Sequence, residues 1–216
     1  MAAEILAVCV SMPRTVSWQG NEVSTGIFKS PVEGRVAVSK MNIDGDGQAD
    51  LTVHGGRDKA VYVYPAAHYP YWAAELGSDE LDTAQFGENL TVTELDERNV
   101  CVGDRLRLGS VVAVVAQPRL PCFKLGLRMN DENFPARFVQ TGRLGFYLRV
   151  QEEGELARGD TVDLIERAAH GITVHDLWQT VYARGEARFT AAECLENMPY
   201  LDAGWLRRLR QVAASA

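Results

Sequence analysis

Short hydrophobic runs separated by glycine, aspartate and asparagine make up most of the first 165 residues of the chain. Several runs alternate apolar with polar positions, which is the period of a β-strand with one buried face. The segments predicted as strands are 5–10, 35–40, 60–64, 111–116, 145–150 and 161–165. Strands and helices do not alternate regularly, so the pattern favours a closed or nearly closed β-barrel over a doubly wound sheet.

One helix is predicted to interrupt these strands. Its apolar positions, at helical spacing, are Tyr69, Trp72, Ala73 and Leu76. Gly77 follows them as a stop signal, and Pro65 suits the first position of a helix.

The pattern changes after residue 170, where apolar residues recur at the helical period in three short segments. Thr173 and Thr190 each begin a spacing typical of a helix N-cap, and Asp202 can cap the third helix. We therefore predict a mainly β protein with additional α-helices, in two parts. A β-barrel domain is expected over residues 1–168, followed by a small three-helix module over residues 169–216.

The composition is that of an ordinary globular protein, with 46% hydrophobic residues and a net charge of −7 over 216 residues. The acidic balance disfavours binding to nucleic acid or to an anionic membrane. No apolar run approaches the roughly 18 residues of a membrane span, and the first residues do not resemble a secretion signal. We expect a cytoplasmic protein that binds neither nucleic acid nor membrane. Arginines in the last helical segment could indicate a DNA-binding helix, but residues 170–216 are not strongly basic.

Cys122 is the strongest candidate for chemistry. It lies between Arg119 and Lys124 in a stretch, residues 117–149, that holds six basic and two acidic side chains. Nearby cations stabilise a thiolate, which is both a nucleophile and a ligand for soft metals. The alternative is a buried structural cysteine, which is our prediction for Cys9, Cys101 and Cys194.

Two other stretches have less specific signals. Residues 44–50 place acidic side chains at alternate positions, but the spacing fails as a calcium loop, and a tight acidic turn is the better interpretation. In residues 53–58, two adjacent glycines between His54 and Arg57 can expose backbone N–H groups to an anion. A glycine turn between strands, with a histidine at the surface, explains the same residues equally well.

Five motifs occur together in a defined order. They are Asp44-x-Asp-x-Gln-x-Asp50, His54-Gly-Gly-x-Asp-x-Ala60-Val-Tyr, Phe86-Gly-Glu-Asn-Leu90, Val102-Gly-Asp104 and Gln117-Pro-Arg-x-Pro-Cys122-x-Lys124. With these motifs, residues 1–212 resemble the MOSC domain family, named for the molybdenum cofactor sulfurase C-terminal region. The resemblance is to the free-standing bacterial YiiM-like subgroup, which has a three-helix tail.

This resemblance implies a β-barrel that binds the pyranopterin molybdenum cofactor, with Cys122 as the protein ligand of the metal and a catalytic residue. His54 is the second predicted catalytic residue, as a proton donor. The residues predicted to bind the cofactor are Arg57, Asn89, Arg119 and Lys124. Asp46 and Asp50 are expected to orient the base of the site, whereas Arg207 in the tail is not expected to contribute. The family is also associated with pyridoxal phosphate binding.

The implied activity is the reduction of small N-hydroxylated compounds, such as hydroxylaminopurines, as a detoxification reaction. The spacing of the cysteines does not suit an iron–sulfur cluster, and no GxGxxG motif follows a strand. We therefore expect a separate electron-transfer reductase of the flavoprotein type as a partner. The alternative function is non-catalytic: a carrier of the cofactor, or a sulfur carrier with a persulfide on Cys122.

Overall fold

The computed structural model describes residues 3–50, 55–183, 185 and 187–215. Twelve strands are present in these residues: β1 (Ala3–Val10), β2 (Arg14–Trp18), β3 (Asn21–Thr25), β4 (Ser30–Pro31), β5 (Val36–Val38), β6 (Val61–Pro65), β7 (Leu90–Val92), β8 (Arg105–Leu108), β9 (Val111–Pro118), β10 (Phe146–Glu152), β11 (Gly154–Leu156) and β12 (Thr161–Glu166). The α-helices of the same residues are α1 (Tyr69–Leu76), α2 (Phe123–Met129), α3 (Phe134–Thr141), α4 (Val174–Tyr182), α5 (Ala191–Asn197) and α6 (Ala203–Ala213).

Seven strands form a closed barrel in the order β12-β8-β9-β10-β6-β7-β1, and β1 closes it by pairing with β12. All neighbouring pairs are antiparallel except β6 and β7, which run parallel with Val63 opposite Leu90. The strand β4 adds to the far end of β1. Two short sheets, β2 with β3 and β5 with β11, lie outside the ring. The predicted barrel and its terminal helices are confirmed.

The helices after the barrel pack into the barrel's own apolar core. Buried residues of α4, α5 and α6 belong to the same hydrophobic cluster as the strands; among them are Leu177, Cys194, Trp205 and Leu209. Thr173 and Thr190 cap α4 and α5 as predicted, each through a capping box, and Asp202 caps α6 by accepting from Trp205 N at 2.8 Å. The boundary between the barrel domain and the three-helix module, between residues 168 and 169, stays a prediction.

A second core, largely aromatic, lies between the barrel and helices α1 to α3. Its buried rings are Tyr62, Tyr64, Trp72, Phe86, Phe134, Phe138 and Trp178. The indole of Trp72 donates to the hydroxyl of Tyr64 at 2.7 Å, so this polar pair is satisfied inside the core. This cluster supports the strand that carries Tyr62 and the helix that carries Phe138.

The prediction for Pro65 was wrong. Pro65 is the last residue of β6 and is buried like the rest of that strand. A short 3-10 turn, Ala66–His68, follows it. The helix starts at Tyr69, and Pro70 occupies its first turn, where a missing N–H costs nothing. The start of the helix was predicted too early because Pro65 and Pro70, five positions apart, both suit the first turn of a helix.

Of the four cysteines, Cys9, Cys101 and Cys194 are buried as predicted, and Cys122 is half-buried. Burial and the nearby Glu88 carboxyl raise the pKa of Cys9 to about 12. In the part of the chain that the structure describes, no helix is long and apolar enough to cross a membrane.

We expect Trp205→Ala to lower the free energy of unfolding by about 3–5 kcal/mol, because it leaves a cavity in the shared core. It also removes the hydrogen bond from Trp205 Nε1 to Pro118 O (3.2 Å). Urea denaturation measures the change. Arg210→Ala, at an exposed position of the same helix, should shift stability by no more than about 0.5 kcal/mol. Equal effects of the two substitutions would show that α6 is not anchored through Trp205.

Candidate functional site

Two cavities meet at Cys122. The inner one has a volume of about 110 Å³ and the outer one about 710 Å³. Five residues line both cavities: Lys59, Leu120, Cys122, Lys124 and Tyr147. A ligand in either cavity therefore reaches the thiol.

The segment that carries Cys122 is held from two sides. It leaves the barrel at Pro118, where Trp205 of α6 donates to the Pro118 carbonyl, and Arg119 N donates to Gly145 O at 3.2 Å. Pro118 and Pro121 restrict the backbone between them. Cys122 itself is extended and immediately precedes α2. The rigid turn thus fixes the position of the thiol relative to the barrel.

Arg119 is a buried cation with an unused donor. Its side chain is 6% exposed, and its guanidinium carbon lies 4.9 Å from the ring centre of Tyr62 and 5.3 Å from that of Phe138. Burial alone would lower the pKa of Arg119, but interactions with Tyr62, Tyr147 and Cys122 outweigh it and raise the pKa. The atom Nη1 is buried and has no hydrogen-bond partner among the described residues. A buried guanidinium with a free N–H beside a cavity suits an anionic ligand.

A buried ion pair forms another wall of the inner cavity. Asp46 pairs with Lys29 and also accepts from Ser11 N at 2.9 Å and from Asn89 Nδ2 at 3.0 Å. Asn89 is in turn fixed by Tyr62 N, which donates to Asn89 Oδ1 at 3.0 Å. Burial lowers the pKa of Lys29, and the neighbouring Asp46 opposes this effect. The network holds one lysine in a fixed position at the cavity surface.

The inner cavity is strongly cationic. Four basic residues line it, Lys29, Lys59, Arg119 and Lys124, against the single carboxylate of Asp46. Lys59 also pairs with Asp202, the N-cap of α6, at 3.2 Å. Among the described residues, no group of three or more histidine, cysteine, aspartate and glutamate side chains is placed to hold a metal ion.

Close backbone approach shapes the rim of this cavity. A Cβ atom on Gly26 would lie 2.5 Å from the carbonyl oxygen of Gly47, so these two loops can meet only with glycine. Gly55 also lines the cavity, with φ +75°, where a side chain would be strained and would touch Gln48. The glycine at position 55 therefore keeps space open beside the predicted site.

The structure brings together most of the predicted site residues. Asn89, Arg119, Cys122 and Lys124 all line the inner cavity. Asp46 lies in the inner wall as well, and Asp50 lines the outer cavity. His54 lies outside the described residues.

Arg57 is placed differently from its prediction. It belongs to a short 3-10 turn, Arg57–Lys59, is exposed, and does not line either cavity. Lys59, two residues later, lines both cavities, and the cofactor-binding role of Arg57 stays a prediction. The turn of the backbone decides which basic side chain points toward Cys122, and the sequence pattern did not resolve it.

Sequence reasoning missed several residues of the site. Lys29 lies between strands and has no motif around it, and Tyr147 was assigned only to a strand. Arg207, which we expected to be remote, lines the outer cavity together with Arg208. For these two arginines the sequence offered one signal, the spacing that predicts Asp202 as a helix cap. A cap fixes the residue at which α6 begins, and with it the position of the first turns.

Comparisons with known proteins agree on one family. The sequence model of the MOSC domain matches residues 50–163. The chain is 46% identical to YflK of Bacillus subtilis, an uncharacterised protein, over 93% of this chain and 90% of that protein. It is 37% identical to a protein of Gibberella moniliformis named reductase, over 85% of this chain but only 33% of that longer protein. The crystal structure of YiiM from Geobacillus stearothermophilus superposes with a TM-score of 0.78 and 31% identity, covering 97% of this chain and 98% of that one.

We expect Asp46→Asn to lower the free energy of unfolding by about 3 kcal/mol at neutral pH, because it leaves Lys29 buried without its carboxylate. The loss of Asp46 further lowers the pKa of Lys29, so the unfolded state binds more protons than the folded state up to the ordinary lysine pKa of 10.5. The variant's stability should therefore rise with pH relative to the unmodified protein.

Urea denaturation at pH 7 and pH 9.5 measures this difference. Asp44→Asn, at an exposed position two residues away, is the matched control. A gap between variant and parent that widens with pH would contradict the assigned role of the ion pair.

Proposed function

The chain belongs to the MOSC domain family, and from this premise we propose that it binds the pyranopterin molybdenum cofactor and reduces N-hydroxylated compounds. The observation that carries the proposal is the position of Cys122, whose thiol lies at the junction of two cavities beside buried and half-buried cations. A homologue named reductase supports an oxidoreductase. The substrate class and the cofactor come from the family resemblance and remain proposals.

The residues present fit this cofactor chemically. A cysteine thiolate is a ligand for a soft, redox-active metal, and the cofactor's phosphate and dithiolene are anionic. Arg119 offers a buried N–H without a partner, and Lys59 and Lys124 add positive charge on the same side. The inner cavity of about 110 Å³ is smaller than the roughly 300–1,000 Å³ of ordinary ligand sites, so the ligands extend past Cys122 into the outer cavity.

When bound, the molybdenum centre would supply the two-electron redox change of the reaction. Conversion of an N–OH group to N–H with release of water also consumes two protons, which side chains of the protein have to deliver. Lys29 lines the inner cavity with its pKa lowered by burial, so it is one candidate proton donor. His54, predicted for the same role, stays a prediction.

The remaining residues position the ligands. Asn89 holds Asp46, and Asp46 holds Lys29, so the donor cannot swing away from the cavity. Arg119 is fixed by two aromatic rings and presents its free N–H without reorganisation. Leu120 and Tyr147 line the approach to the thiol from both cavities. The protein's contribution is thus orientation, electrostatics and proton supply.

We propose that the electrons come from a separate flavoprotein-type reductase. The four cysteines are distant in sequence, and Cys122 is assigned to the metal, which leaves no set for an iron–sulfur cluster. Reduced viologen is therefore the electron source of choice for assays on the purified protein, and NADH alone is not expected to support turnover.

We predict that Cys122→Ser folds normally but loses retained molybdenum and N-hydroxy reduction, since an alcohol is a poor ligand for a soft metal. Protein from a cofactor-competent host is analysed for molybdenum and pterin, then assayed with reduced viologen and an N-hydroxylated purine. Cys101→Ser, at a buried position, should keep both properties.

Full activity of the Cys122 variant would show that the metal ligand is assigned incorrectly. Cofactor bound to the parent protein without turnover would instead support the second candidate, a non-catalytic cofactor carrier. A half-buried thiol beside cations also suits a persulfide, and sulfur transfer from Cys122 without bound pterin would support a sulfur carrier.

We predict that Arg119→Met lowers cofactor loading about tenfold or more, because one charge-assisted hydrogen bond contributes about 1.5–3 kcal/mol. Methionine retains the packing against Tyr62 and Phe138, so the loss reports charge and not folding. Pterin content per protein is the measurement. Arg57→Ala, at an exposed position outside both cavities, should load normally. The reverse result would move the anion-binding site to the 3-10 turn.

A further inference from the structure

The outer cavity has ligand-binding groups that the inner cavity does not share. One wall is the segment 117–124, and the opposite wall is the start of α6. The residues found only in the outer lining include Gln117, Phe123, Asp202, Gly204, Arg207 and Arg208. The C-terminal helices therefore contribute directly to the space beside Cys122.

Two of the four basic residues that line this cavity, Arg207 and Arg208, belong to α6. Asp202 is already engaged, since it accepts from Trp205 N at 2.8 Å and Gln117 Nε2 at 3.0 Å and pairs with Lys59. Within the described residues, neither Arg207 nor Arg208 forms a salt bridge, and Arg208 donates only to Gly204 O. Two guanidinium groups on one wall are suited to a phosphate, which they can bind through several N–H donors.

Gln117 supplies an independent sign of a ligand. It is 2% exposed, and the hydrogen bond from its Nε2 to Asp202 fixes which end of the amide points where. The opposite atom, Oε1, is buried without a partner in the described part of the chain. A donor from outside, such as a water molecule or an N–H of a bound heterocycle, can satisfy a buried acceptor of this kind.

Phe123 adds a flat apolar surface next to the thiol. Its ring is 56% exposed, although it directly follows Cys122 at the start of α2. An exposed aromatic ring in a ligand cavity is suited to stack on a planar base. The lining thus combines an aromatic face, a hydrogen-bond acceptor and two phosphate-binding side chains.

We propose that the outer cavity is a subsite for a planar heterocycle that carries a phosphomonoester. Arg207 and Arg208 bind the phosphate, Phe123 stacks on the ring, and Gln117 accepts from a ring or exocyclic N–H. Among the ligands of the proposed function, two have this chemistry: an N-hydroxylated nucleotide as substrate, and the phosphorylated pterin of the cofactor. The first source rests on the proposed function, since it places an N-hydroxylated group near Cys122.

Binding measurements test the subsite without requiring turnover. Protein from a cofactor-competent host is titrated by calorimetry with N6-hydroxyadenosine 5′-monophosphate, with N6-hydroxyadenosine and with inorganic phosphate, at one fixed salt concentration. The nucleotide should bind at least tenfold more tightly than the nucleoside. Arg207→Ala should lose most of this preference, whereas Arg210→Ala, an equal loss of charge at an exposed position of the same helix, should retain it.

Pterin content of the same variants distinguishes the two sources. Loss of the nucleotide preference with unchanged pterin assigns the subsite to the substrate. Loss of pterin in Arg207→Ala but not in Arg210→Ala, with no nucleotide preference in the parent, assigns it to the cofactor. Unchanged nucleotide affinity and pterin in both variants would overturn the subsite.

Two further outcomes test the heterocycle part of the subsite and separate the subsite from the proposed reductase function. If inorganic phosphate displaces the nucleotide at equal concentration, or if Phe123→Ala leaves its affinity unchanged, the heterocycle part is overturned. If the nucleotide preference holds but no N-hydroxylated compound is reduced, the proposed reductase function fails while the subsite stands.

Discussion

The burial of one positive charge organises the site. Removing a guanidinium from water costs several kcal/mol, and the contacts of Arg119 with two aromatic rings return only about 0.5–2 kcal/mol of that. The protein supports this position with the aromatic core behind it, built by α1, α3 and two neighbouring strands. The surroundings leave the N–H at Nη1 without a partner among the described residues. The site is thus organised around a buried cation whose hydrogen-bonding capacity the protein does not fully use.

Asp202 connects this site to the C-terminal helices. The same carboxyl caps α6, accepts from Gln117 of the barrel and pairs with Lys59. Burial alone would raise the pKa of Asp202, but these hydrogen bonds and the lysine outweigh it and lower the pKa. One ionised side chain therefore caps a helix and joins that helix to two other residues of the outer cavity, Gln117 and Lys59. The tail is part of the site's architecture through this contact.

Local signals in the sequence were sufficient for the barrel and the capped helices. Alternation and apolar runs marked most barrel strands to within one or two residues, because strand burial repeats every second residue. Thr173 and Thr190 were readable because a capping box lies within four residues. The β2–β3 hairpin and helices α2 and α3 were missed; the two helices have only seven and eight residues, so each shows few periodic apolar positions.

The site was predictable only where it is continuous in sequence. Arg119, Cys122 and Lys124 share one segment and were found together. Lys29, Asp46 and Asn89 come from three separate loops and meet only when the barrel is closed, so Lys29 could not be identified. Arg57 and Lys59 belong to the same short turn, and the backbone of that turn decides which of the two side chains faces the cavity. Residue types alone do not specify this direction.

The pairing of β1 with β12 joins residues that are far apart along the chain, with Ala3 opposite Val162. The ribosome therefore releases β1 long before the strand that completes the ring has been synthesised. Until then the edge of β1 is open, and β4, which pairs with its far end, and β7 are the earliest partners available to it. Contacts between residues so far apart in sequence form slowly. Closure of the barrel, and with it the assembly of the cationic cavity, is therefore a late step in the folding of this protein.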